Sequence, residues 1–128
     1  MPDSMRYNDW LDKAKADLSA AKILFEHKGH NSIVCFHCQQ AIEKALKSFI
    51  LKNNLQLIEG HSLVYLCKKS AGIDIKMKQY IKDCAFVNQF YLETRYPADV
   101  PLKVDDSDAQ DCIDIAQSIL EEVNGNQI

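Results

Sequence analysis

Apolar residues recur along this chain at spacings of three and four, the period of helices with one buried face, and no segment alternates convincingly in the period-two manner of a strand. The first predicted helix runs from about Asn8 to Lys28 and stacks Leu11, Ala14, Leu18, Ala21 and Phe25 on one side; Asn8 or Asp9 caps its start and Gly29 ends it. Asn31 or Ser32 caps a second helix, reaching about Asn53. Its inner stripe is Cys35, Cys38, Ile42, Ala45, Leu46 and Phe49, and its other side is expected to present Gln40, Glu43, Lys44 and Lys47. Residues Asn53 to Gly60 read as a connection, with some extended character at Leu55 to Ile58.

A short third helix is expected from about His61 or Ser62 to just before Gly72, and a fourth, capped by Asp74, turns Met77, Tyr80, Ile81, Cys84, Val87 and Tyr91 inward. Pro97 and Pro101 make Thr94 to Asp106 a long loop, because proline is poorly tolerated inside a helix. Asp105, Asp106 or Ser107 then caps a last helix with the cleanest stripe of all, Ala109, Cys112, Ile113, Ala116, Ile119, Leu120 and Val123. The pattern predicts an all-α fold: an antiparallel up-down helical bundle of four main helices plus one short helix, forming one domain over residues 1–128. A loop of that length in so small a bundle is a place to look for function.

Composition supports a free-standing core. Hydrophobic residues make up 47% of the 128 and charged residues 26%. The net charge of -3 argues against a dedicated duplex-DNA binder, so contact with nucleic acid would need a local basic patch. Thirteen of the fifteen cations are lysines, which singles out Arg6 and Arg95. No apolar signal core or membrane-spanning run appears, and five cysteines are odd in number; these features lead us to expect a cytoplasmic protein with buried thiols and no membrane association.

Several chemistries lack their motifs. Four scattered glycines write no phosphate loop or dinucleotide fingerprint, and no HExxH or EF-hand loop occurs. His27, His30, Cys35 and Cys38 are zinc-ligand types, but both cysteines fall on the apolar stripe inside a helix, so packing is the preferred reading. The aspartates from Asp105 to Asp114 complement a helix N-terminus better than they suggest a metal site. No metal and no cofactor is therefore expected. Glu43 and Lys47, four residues apart, suit an exposed helix face. Gln39 and Gln40 border the stripe, so each is a candidate for a buried polar contact between helices or at a dimer seam. His61 stands at a predicted helix N-terminus, where an anion is well received. Arg95 and Tyr96, beside Pro97, combine a phosphate-matching fork with a stacking ring. Each has a plain structural alternative: His61 capping or packing, Arg95 tying its loop to a helix end.

Taken in order, Trp10, Ala14-x2-Asp17-Leu18-x2-Ala21, Cys35-Phe36-x2-Gln39-Gln40-Ala41-x-Glu43-Lys44-x2-Lys47, Gly60-His61-Ser62-Leu63 and Thr94-Arg95-Tyr96-Pro97 resemble the HEPN family, the higher-eukaryote and prokaryote nucleotide-binding domain. The resemblance spans nearly the whole chain. It implies a homodimeric helical bundle, often beside a minimal nucleotidyltransferase in a toxin–antitoxin system, with many members acting as metal-independent ribonucleases. Those nucleases carry an arginine followed four to six residues later by histidine. After Arg6 the corresponding positions are Leu11, Asp12 and Lys13, and after Arg95 they are Val100, Pro101 and Leu102. The cleavage motif is absent.

The resulting expectation is a homodimeric module that binds nucleotide or RNA phosphate through His61, Arg95, Tyr96, Lys44 and Lys47 and partners a minimal nucleotidyltransferase. Its rivals are a weak metal-independent ribonuclease toxin, built on a composite of His61 and Arg95, and a helical scaffold with no ligand.

Overall fold

A computed structural model describes residues 2–93, Pro97 and residues 103–125 of the chain. Among these, every regular element is helical: α1 (Tyr7–Glu26), α2 (Asn31–Asn54), α3 (Leu63–Ile73), a 3-10 helix (Ile75–Tyr80), α4 (Ile81–Asn88), α5 (Phe90–Glu93) and α6 (Asp106–Val123).

The long helix α2 is the axis of the bundle. One flank packs along α1, a second along α6, and α3, α4 and α5 close the rest. Being enclosed from several directions, α2 buries thirteen of its twenty-four residues, far more than one stripe. Ile42, Leu46 and Ile50 lie at its centre, where Leu18 and Ala21 of α1, Leu66 of α3 and Ile119 of α6 join the same core. Truncating a buried aliphatic such as Ile42 to alanine costs about 2–5 kcal/mol, because the cavity collapses only in part.

Helix ends explain where the chain turns. Ser62 caps α3 by accepting from the Tyr65 amide at 3.2 Å. Asp105 caps α6 in a reciprocal box, accepting from the Asp108 amide at 2.8 Å while the Asp108 carboxylate accepts from the Asp105 amide at 3.3 Å. The two earlier starts differ from expectation. His30 precedes α2 and Arg6 precedes α1, neither with a side-chain cap. Asn31 reaches across instead, donating to the Val104 carbonyl and to Asp106, so the starts of α2 and α6 are tied together. Asp9 is occupied by Ser4 and Arg6 ahead of α1.

Three further expectations need correction. The fourth helix is not continuous: it opens as a 3-10 turn after Asp74 and is interrupted again at Gln89, between α4 and α5. Asp74 accepts from the Lys76 amide, a tight local bond that starts the 3-10 segment and leaves Ile75 largely exposed. Glu43 and Lys47 are not on an exposed face. Both are buried, because α1 and the segment leading into α3 cover that side of α2. Gly72, expected just beyond α3, lies within its last turn.

Candidate functional site

Glu43 is a buried carboxylate in the middle of α2, and three groups converge on it. Lys47 Nζ lies 3.2 Å from Oε2, His61 Nδ1 lies 3.0 Å from Oε1, and Gln39 Nε2 donates to Oε1 at 3.4 Å. Burying a charge is costly unless it is paired and hydrogen-bonded, and this one is both. The Lys47 ammonium also sits 5.7 Å from the centre of the Trp10 ring, so α1 supplies the roof over the pair.

The Gln39 amide bridges this centre to the chain outside it. It donates to the His61 carbonyl at 3.1 Å, and its own oxygen accepts from Gln40 Nε2 at 2.7 Å. Gln39 is completely buried while Gln40 reaches the surface, so the two amides form a short polar relay from solvent to the His61 backbone.

His61 carries this buried system outward. Its side chain is 58% exposed, whereas that of Glu43 is only 6% exposed. Holding Nδ1 against a carboxylate orients the imidazole and directs the chemistry to Nε2, which has no partner among the described residues. Tyr91 of α5 stacks on the ring with centroids 5.1 Å apart and 21° between planes; Phe36 of α2 lies beyond Tyr91 at 6.3 Å and 23°. The result is a ladder of three nearly parallel rings with the imidazole at one end.

A second unit of the same composition stands nearby on α2. Asp17 of α1 takes His37 Nδ1 at 3.2 Å on one oxygen and Lys44 Nζ at 2.5 Å on the other. The Phe36 ring meets the His37 ring edge-on at 5.9 Å. Asp17 thereby clamps α1 to α2.

The sequence-predicted residues are thus distributed unevenly. His61, Gln39 and Gln40 are brought together. Lys47 joins them from the inside, its ammonium turned to Glu43 rather than to solvent. Lys44 belongs to the Asp17 clamp and lines an open groove of about 600 Å³ with Asp9, Trp10, Asp12 and Lys13. Arg95 and Tyr96 lie outside the described residues. Tyr91, expected to face the core, is instead half-exposed against His61. Its role was invisible in the pattern because the break before α5 rotates it away from the face that Cys84 and Val87 occupy. Two amides at the start of α3 are already engaged, Leu63 by Asn88 and Tyr65 by Ser62.

The remaining candidates are structural. All five cysteines are buried. Burial and the neighbouring Cys35 push the Cys38 thiol up, which disfavours the thiolate that metal binding requires. No cluster of three metal-ligating side chains occurs among the described residues, and none of their helices is long and apolar enough to cross a membrane.

The sequence profile of the HEPN domain matches residues 7–126. The chain belongs to the HEPN family. A crystal structure of a Thermus thermophilus protein shares 29% identity and a TM-score of 0.84, over 96% of this chain and 99% of that one. An archaeal HEPN homologue of known structure gives 26% identity and a TM-score of 0.75, over 94% and 96% of the two chains. A Methanocaldococcus jannaschii protein provisionally named as a toxin is 25% identical over 125 residues, 88% of this HEPN chain and 82% of its own length. The all-helical bundle is therefore shared with other HEPN proteins.

Proposed function

We propose that this HEPN protein is a homodimeric binding module that receives nucleotide or RNA phosphate at the His61 surface and partners a minimal nucleotidyltransferase in a cytoplasmic toxin–antitoxin type system. The observation that carries the reading is His61 itself: an exposed imidazole, held through Nδ1 by a buried glutamate and backed by Tyr91. Its Nε2 is available to a phosphate oxygen, and the ring ladder offers an aromatic surface to a base. Arg95 and Tyr96 complete the recognition set on the strength of their residue types, and Lys44 contributes positive charge from the neighbouring clamp. Lys47 has a different part, holding Glu43 in place beneath the histidine.

Titrating ATP, GTP and a short RNA into the wild type, His61→Ala and Arg95→Ala tests the module. Both variants are expected to weaken binding about tenfold, the value of one charge-assisted hydrogen bond to an ionised group. Equal affinity in wild type and His61→Ala would remove the surface from consideration.

A second reading is favoured by the Glu43–His61 geometry, since a carboxylate that orients an imidazole is also how a general base is prepared. The same surface would then cleave RNA weakly. Cleavage should survive EDTA and disappear in His61→Ala; RNA left intact after long incubation at high protein concentration would rule this out.

A further inference from the structure

Five of the eleven lysines that neither unit on α2 uses lie on α3, the 3-10 helix and the start of α4. The twenty residues from Leu63 to Lys82 contain Lys68, Lys69, Lys76, Lys78 and Lys82 against one carboxylate, Asp74, in a chain whose net charge is -3. All five lysines are exposed, and among the described residues none is held in an ion pair, unlike Lys44 and Lys47. Asp74 is committed to the Lys76 amide. By contrast α6 carries six carboxylates and no lysine.

An exposed aromatic ring lies within the basic stretch. Tyr65 is 50% exposed, and Lys69, one turn further along α3, places its ammonium 5.8 Å from the ring centre. Tyr65 also follows His61 by four positions, and its amide is bound by the Ser62 cap, so both residues belong to the N-terminal end of α3. This edge follows the chain: His61, Tyr65, then Lys68 and Lys69, three and four positions after Tyr65 and so on its face of α3, then Lys76 and Lys78 of the 3-10 helix.

We infer that this edge is a track for a single strand of RNA, with Tyr65 stacking a base and Lys68, Lys69 and Lys76 following the phosphates away from His61. The inference rests on the reading of His61 as a phosphate-binding residue and narrows its ligand from a free nucleotide to an oligonucleotide. A net acidic protein holds a polyanion in this way because affinity comes from phosphates neutralised locally. The half-exposed ring selects the single strand, because in a duplex the base faces are already stacked on one another.

The test measures fluorescence anisotropy of a labelled twelve-residue single-stranded RNA, a twelve-pair duplex RNA and a labelled ATP on the purified full chain at several salt concentrations. The proteins are wild type, Tyr65→Ala, Lys68→Ala/Lys69→Ala and His61→Ala; circular dichroism checks that each is folded. The lysine pair should weaken the single strand about tenfold more than it weakens ATP, and should reduce the slope of log affinity against log salt by about 1.4, at about 0.7 for each phosphate contact on a single strand. Tyr65→Ala should cost about tenfold, within the range for one stacked base, with the slope unchanged. His61→Ala should weaken both ligands. If His61→Ala weakens ATP and RNA while the Tyr65 and lysine variants bind the single strand like wild type, the track is overturned and the His61 reading stands. Duplex binding as tight as the single strand overturns the stacking assignment. No binding of either ligand by wild type removes both proposals.

Discussion

Asp17–His37–Lys44 and Glu43–His61–Lys47 are the same three chemical groups in the same connectivity, a carboxylate holding a histidine Nδ1 on one oxygen and a lysine ammonium on the other. They differ in depth. Asp17 is 17% exposed and joins two helices near the surface. Glu43 and Lys47 lie within the fold, and only the histidine of that unit emerges. Where water still reaches all three partners, the triad is a clamp whose attraction is screened. Where water is excluded from two of them, the buried pair depends on its own completeness and the third partner becomes a rigid outward-facing group. Burial, not composition, separates a fastening from a candidate site.

The largest effect expected from breaking this contrast is at Glu43. Glu43→Ala strands the Lys47 ammonium under Trp10, and urea denaturation should show a loss of about 3–5 kcal/mol, the range for an uncompensated buried charge. A loss below about 1 kcal/mol would show that water reaches the pair. Asp17→Ala should cost only about 1 kcal/mol in the same measurement, since its partners can turn to solvent. His61→Ala should leave stability within about 0.5 kcal/mol, as for an exposed side chain, while weakening ligand binding about tenfold. A large stability loss there would make His61 a packing residue rather than a receptor.

Two smaller measurements sharpen the picture away from the triads. The buried thiols should resist alkylation in the native protein and react together on unfolding, because reagent cannot reach them in the fold; at Cys38, burial and the adjacent Cys35 also suppress the thiolate. Fast labelling of one cysteine before unfolding would locate an opening in the core. Tyr80 is raised to about 12 by burial and then by Glu122, whose carboxylate accepts its hydroxyl at 3.2 Å. Since the unfolded phenol titrates near about 10, the folded state alone retains the proton between the two values. Its contribution is intact below about pH 10 and is lost as pH rises through about 12. The stability difference between wild type and Tyr80→Phe should hold steady from about pH 7 to 9 and fall across that window.

Much of the architecture could be read from residue spacing. The stripes of α1 and α6 predict the faces they bury, and the Ser62 and Asp105 caps lie among the residues named for those ends. The site was only partly legible. Gln39 and His61 could be singled out by chemical type, but Tyr91 fell on an expected inner stripe, and His37 and Asp17 had no signal linking them across twenty residues. The pair Glu43–Lys47 was readable as a pair and misplaced as exposed.

That misplacement marks the division between the two sources of information. Amino-acid order, acting through the 3.6-residue period and through local caps, determines that this HEPN chain forms helices and which stripe each must hide. It also sets the i,i+4 distance between Glu43 and Lys47, which is the same in water or in a core. Only tertiary structure decided which it would be, because the groups that cover the pair, Trp10 from α1 and His61 from the approach to α3, arrive from distant parts of the chain. Solvent exclusion is a property of what packs around a residue, and helical period does not encode it.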